Sequence, residues 1–178
     1  MVDIKYLGAV TNTAIRPADE VDHITRAWGT VLPEVDTSPM EVFSRVSRLA
    51  RQFDLKRRQA FLTHNLEPWE FDVLSSLRRG GEPYSATPGQ LMAELLVSSG
   101  TMTNRIDRLE DKGLVTRSPS PTDRRGVEVS LTSDGKTQVD RALTQLIEVE
   151  RELLTPLSDA EATQLAALLR AVLIPLDS

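Results

Sequence analysis

SSGTMTNRIDRLEDKGLVTRSPSPTDRRG, residues Ser98 to Gly126, is the stretch on which the reading of this chain turns. Ser99 to Lys112 has the apolar spacing of a helix, and Gly113 stands where helices commonly end in a left-handed residue. Leu114 to Pro119 and Val127 to Leu131 alternate with period two around a Pro/Ser-rich loop, which predicts a hairpin. Upstream, Thr87 caps a short helix that has Pro88 in its first turn and runs through Leu91, Met92, Leu95 and Leu96; Val97 and Ser98 make a brief turn. Two short helices joined by a turn, the second polar and basic, form a helix-turn-helix. With the hairpin behind it, the arrangement is a winged helix, a module suited to duplex DNA.

At about 100° per residue, Met102, Ile106 and Leu109 fall within about 60° of one another and mark the buried direction of the 99–112 helix. Thr101, Arg105, Arg108 and Lys112 lie on one flank of that direction; Thr103, Asp107 and Glu110 lie on the other. A helix in the major groove needs donors that reach base edges and phosphates together. Ser99, Thr101, Thr103, Asn104, Arg105 and Arg108 are the expected DNA contacts. At the hairpin tip, Asp123 is expected to orient one guanidinium of the Arg124-Arg125 pair while the other enters a narrow minor groove. The bland alternative is a surface helix with (i, i+4) charge pairs and a plain exposed turn, which would make the capped helix before it and the hairpin after it coincidences.

Outward from this stretch, residues 1–18 read as a tail. A helix is expected from about Asp19 to Leu32, with Val21, Ile24 and Trp28 on one side, ended by Pro33. Ser38 is expected to cap a second helix that has Pro39 at its first position and reaches about Thr63. Its expected apolar face is Met40, Val42, Phe43, Val46, Leu49, Ala50, Phe53 and Leu62, and its cations, Arg57 included, read as a solvated face. Pro68 opens a third helix with Trp69, Val73 and Leu77 on its apolar side, stopped by Gly80-Gly81; Tyr84 to Ala86 is a candidate short strand. Thr132 or Ser133 caps a long helix carrying Val139, Leu143, Leu146 and Leu153. Ser158 to Glu161 is a capping box that opens the last helix, with Leu165, Leu168, Leu169, Val172 and Leu173 on its apolar side.

The 178 residues suffice for one sizeable domain or two small ones, and 40% hydrophobic content allows a core. Aromatic content of 4% suits a mainly helical chain. No apolar run is long enough for a bilayer span and no signal-peptide pattern opens the chain, so a cytoplasmic protein without membrane contact is expected. With no cysteine and only two separated histidines, neither a structural zinc site nor a cofactor is expected, while surface sites of His and carboxylates between subunits stay open. No Gly-rich phosphate loop and no nucleophile beside a histidine is present, so an enzyme is not expected. The net charge of −5 argues against non-specific DNA coating. Between Ser98 and Gly126, however, six basic residues outnumber four acidic ones, as one phosphate-facing surface requires.

These residues resemble the MarR family of winged-helix regulators. The likeness rests on SSGTMTNRIDRLEDKGLVTRSPSPTDRRGVEVSLTSDGK, which follows that family's recognition helix, its RLE-KG helix end, its D-R-R wing and its L-T--G entry into a long helix. The resemblance implies a homodimer held by the first and last two helices and bound to a pseudo-palindromic operator. A narrower similarity is to the urate-responsive, PecS-like branch, through the extra helix bearing Trp28, the LPEVDTSPM connector and WEFDVLSSLRRGGEPYSATPGQL. That branch implies a ligand site whose positions correspond here to Trp28, Asp72 and Arg105. Trp can stack on a flat purine while Asp and Arg offer complementary hydrogen bonds. The alternatives are a core or dimer anchor for Trp28 and a buried salt bridge to Arg105 or a neighbour for Asp72.

The expected fold is mainly α (α+β): a winged helix-turn-helix over 67–131, with helices in 19–66 and 132–178 forming a dimerisation region. The expected function is a ligand-responsive transcriptional regulator, a dimeric repressor that binds double-stranded DNA and is released by a small anion such as urate. The competing reading is a winged-helix module for protein contact without specific DNA binding.

Overall fold

The computed structural model of the chain describes residues 17–119 and 126–176. They group into two compact units, one up to Phe53 and one from Asp54 onward.

In the first unit, Asp19 caps α1 (Glu20–Val31) by accepting from the backbone N–H groups of Val21 and Asp22, while the Asp22 carboxylate accepts from Asp19 N. The following helix, α2 (Ser38–Leu62), crosses the boundary between the units. Its start differs from expectation in one detail: the side chain that closes the entry turn is Asp36, which accepts from both the backbone and the hydroxyl of Ser38. Arg45 on α2 clips the two helices together, bonding Asp19 at 2.8 Å and Asp22 at 2.6 Å. Its guanidinium, helped by the backbone N–H groups of Asp22 and Val21, holds the Asp19 carboxyl down to about 2. Of the expected apolar side of α1 only Val21 is buried; Trp28, Val31, Val42, Phe43 and Leu49 are all exposed.

In the second unit, the end of α2 buries Ala60 and Phe61 and leaves Leu62 in solvent, correcting the expected apolar face. Phe61 is the inward residue because its ring stacks on Phe71 of α3 (Pro68–Arg79), with centroids 4.3 Å apart. Gly81, at φ +75, turns the chain out of α3 toward β1 (Ser85–Ala86). Thr87 caps α4 (Pro88–Leu95) in a capping box with Gln90. Leu96, expected to continue the apolar side of α4, instead takes a left-handed φ of 52 that ends the helix and turns its side chain out to 91% exposure. Val97 and Ser98 then lead to α5 (Ser99–Asp111), capped by Ser98 and ended by Gly113 at φ +70.

The hairpin strands are β2 (Val115–Pro119) and β3 (Val127–Leu131), antiparallel with Arg117 opposite Val129, and β1 adds to the other edge of β3 to give the order β1-β3-β2. The exit from β3 is tied back to the end of α5. Thr132 donates its N–H to Leu114 O and its hydroxyl to Gly113 O, while its Oγ1 accepts from Gly135 N at the start of α6 (Ser133–Leu154). Through Val139, Ala142 and Leu146, α6 joins a core that includes Leu66, Val73, Leu74, Leu77, Leu91, Met102, Ile106, Leu109, Val115 and Val129. The last α-helix, α7 (Asp159–Leu173), buries none of its residues. Among the described residues, no helix is long and apolar enough to cross a membrane.

Candidate nucleic-acid interface

The angular reading of α5 holds: Met102, Ile106 and Leu109 are its buried residues. Packing that stripe against the core turns the opposite side outward. Thr101, Asn104, Arg105 and Arg108 then line, with Gly100 and Trp69, an open depression of about 370 Å³. Ser99 and Thr103 are exposed too, but the Thr103 hydroxyl donates to Ser99 O at 3.0 Å and is turned back on its own helix. At the helix start, Thr101 is fixed by Ser98, whose Oγ lies 2.9 Å from the Thr101 hydroxyl.

The charges along α5 are sorted by their partners. On the acidic flank, Arg117 of β2 pairs with Asp107 and, at 2.6 Å, with Glu110, whose second oxygen accepts the Arg117 N–H at 3.0 Å. Arg117 therefore masks the acidic edge and welds the hairpin to the helix. On the basic flank, the Lys112 ammonium lies 2.7 Å and 2.8 Å from the two oxygens of Glu70, a completely buried carboxylate that also accepts from Glu67 N at 2.9 Å. Lys112 was expected on the same edge as the two arginines; it serves instead to neutralise a charge that could not otherwise stay buried. Arg105 and Arg108 are what remains of that edge.

Trp69 was expected on the apolar side of α3 and is half-buried outside the core instead. Its ring lies under the guanidinium of Arg108, 4.8 Å away, and of Arg105, 5.6 Å away. Its indole N–H donates to Glu67 Oε2 at 2.7 Å, and Arg108 donates to Glu67 Oε1 at 3.2 Å. The Trp69 N–H first, then Arg108, hold the Glu67 carboxyl below the usual carboxylate range. Further along α3, Asp72 pairs with Arg57 of α2, whose guanidinium also covers the rings of Phe61 at 5.2 Å and Phe71 at 5.8 Å.

The sequence and the fold have counterparts among known proteins. A sequence profile of the MarR family matches residues 64–126. The chain is 38% identical to the transcriptional regulator PecS of Dickeya dadantii (strain 3937), over 86% of this chain and 92% of that protein. It is 32% identical to the multiple antibiotic resistance protein MarR of Escherichia coli (strain K12), over 76% of this chain and 98% of that one. The chain belongs to the MarR family. Its similarity to the E. coli MarR extends to a structure of a cysteine-to-serine mutant solved with operator DNA, with a TM-score of 0.65 and 27% identity over 82% of this chain and 97% of that one. MarR-family proteins are transcriptional regulators rather than enzymes.

Within this MarR-family frame, Thr101, Asn104, Arg105 and Arg108 come together on one surface, with Ser99 at the helix start and Thr103 on the far flank. Asp123, Arg124 and Arg125 lie outside the described residues. Asp72 and Arg105 do not pair; Asp72 takes Arg57 instead, in a salt bridge that is partly exposed rather than buried. Trp28 belongs to the first unit and is 44% exposed. Among the described residues no group of three His, Asp or Glu side chains is placed to hold a metal.

Sequence reasoning missed Glu67, Trp69 and Arg57. Arg57 was hidden in a run of cations that reads as solvated; the signal available was its (i, i+4) spacing to Phe61, which places a guanidinium beside an aromatic ring. For Trp69 the signal was Glu67 two residues earlier, a carboxylate within reach of an indole N–H.

Proposed function

We propose that this MarR-family chain is a dimeric transcriptional regulator that binds double-stranded DNA with α5 and the hairpin, and acts as a repressor. One observation carries the reading: α5 presents Thr101, Asn104, Arg105 and Arg108 on a single outward edge while Arg117 ties down the two carboxylates of the other and offsets part of their charge. That combination supplies bidentate donors for base edges and cations for phosphate, with Glu67 beside Arg108 as the carboxylate at that edge. The operator-bound MarR relative supports it, and Ser99 and Thr103 at the margin, with Arg124 and Arg125 of the hairpin and Asp123 in support of one of them, complete the proposed contact set. Dimerisation through the helices of 19–66 and 132–178 is supported by α7, which leaves Leu168, Val172 and Leu173 exposed.

The test is binding of the intact protein to a duplex recovered from a random pool, followed across salt concentrations. Two phosphate-contacting arginines per protomer should give a steep loss of affinity with salt, and Arg125→Ala should weaken binding about tenfold. Absence of any salt-sensitive duplex binding would sink the proposal in favour of a protein-contact module.

Response to a planar anion such as urate stands on the likeness to PecS and on the set Trp28, Asp72 and Arg105. Because Asp72 already holds Arg57, an anion drawn to this part of α3 would compete for that guanidinium. Urate should raise the melting temperature and release DNA from the wild type, and do neither in Trp28→Phe or Asp72→Ala. If urate does nothing to the wild type, the ligand assignment fails and the DNA reading stands.

A further inference from the structure

The two arginines on the outward edge of α5 are held differently. Arg105 rests over Trp69 and has no carboxylate within ion-pair reach among the described residues. Arg108 rests over the same ring and is bonded to Glu67. Glu67 is in turn fixed by the Trp69 indole, and Trp69 sits in the first turn of α3, whose start is locked by the buried Glu70. The first turn of α3 thus forms a platform with an aromatic top and one negative charge, anchored by the buried Glu70 and facing the edge of α5.

A flexible arginine loses side-chain entropy when it binds, and a neighbouring ring that already orders its plane reduces that loss. A carboxylate beside it does the opposite to a passing phosphate, since the phosphate must displace an existing ion pair to gain its own. We propose that Trp69 and Glu67 are positioning and specificity-determining residues for DNA reading. In this arrangement Trp69 orders Arg105 and Arg108, and Glu67 keeps Arg108 from phosphate alone until a duplex offers acceptors that repay its release. The inference rests on the chain being a DNA-binding regulator, and it deepens that reading by giving two residues off the reading helix a part in discrimination.

The experiment compares the full-length wild type with Glu67→Gln, Trp69→Phe and Trp69→Leu. The probes are the duplex selected by the wild type and a scrambled duplex of the same composition, each titrated at several salt concentrations by fluorescence anisotropy, with far-UV melting to establish folding. Glu67→Gln is expected to bind the scrambled duplex about threefold to tenfold more tightly, to lower the ratio of selected to scrambled affinity, and to steepen the salt slope by about 0.9 per protomer as Arg108 takes on a phosphate unopposed. Trp69→Phe, which keeps a ring face, should stay within about threefold of wild type on the selected duplex, and Trp69→Leu should lose about tenfold. A merely structural Glu67 would leave the salt slope unmoved. The proposal is overturned if Glu67→Gln changes neither the slope nor the ratio, or if a folded Trp69→Leu binds as well as Trp69→Phe; should the leucine variant unfold, the glutamine variant decides alone. If the wild type binds no duplex at any salt, the proposed function falls first and the platform with it.

Discussion

Gly135, in the first turn of α6, lies against the backbone of Leu114 so closely that a Cβ built on it would stand 2.0 Å from the Leu114 carbonyl oxygen. That contact is where the end of α5, the start of the hairpin and the start of α6 meet, and it gives the glycine of the LTSDG stretch a physical cause. Gly135→Ala must push two backbones apart and disturb the Thr132 hydrogen bonds beside them. We expect a loss of about 2–3 kcal/mol, seen in chemical denaturation, with the midpoint shifted and the slope unchanged.

Lys112 and Glu70 form the next joint. Removing the ammonium leaves a fully buried carboxylate with one backbone donor, so Lys112→Met should cost about 3 kcal/mol. Adding Glu70→Gln should recover more than half of that, because the amide still accepts from Glu67 N while carrying no charge. A double-mutant cycle measures the coupling; a double variant as unstable as the single one would show that Lys112 acts through packing alone.

The Arg45 clip makes α1 acid-sensitive in a defined window. The Asp19 carboxyl titrates at about 2 in the folded chain, below its ordinary 3.8. A lowered folded value means that its contribution is fully present above about pH 4 and disappears as the pH falls through 2. In Arg45→Ala the Asp19 titration should move up toward the ordinary value, followed by carboxyl NMR. Hydrogen exchange across α1 should quicken in that variant already at neutral pH.

The exposed side of α7 predicts self-association. Leu168→Glu combined with Val172→Glu places two charges one helical turn apart on a face that buries nothing within the chain. Sedimentation should show a dimer for the wild type and a monomer for the double variant. DNA affinity should fall at least about a hundredfold as the two reading heads lose their linkage.

Much of this was legible from residue order. Capping residues and left-handed glycines are local: Thr87, Thr132, Ser158, Gly81 and Gly113 act within a few residues of themselves, so their spacing announces the helix ends they make. The buried stripe of α5 was legible for the same reason, since its period belongs to the helix and not to its neighbours. The direction of each cation was not legible. Arg108, Lys112 and Arg117 look alike in a charge count over Ser98 to Gly126, yet they meet Glu67, Glu70 and the Asp107/Glu110 pair respectively.

The sequence by itself determined the order of elements, the winged helix-turn-helix and which side of α5 turns outward, because those follow from periodicity and backbone chemistry along one segment. Only the tertiary structure decided that Phe61 rather than Leu62 faces inward, that Asp72 belongs to Arg57, and that Trp69 leaves the core to lie under two arginines. Each of those depends on which surface arrives from a distant part of the chain, and a long flexible side chain takes the partner that packing brings within reach.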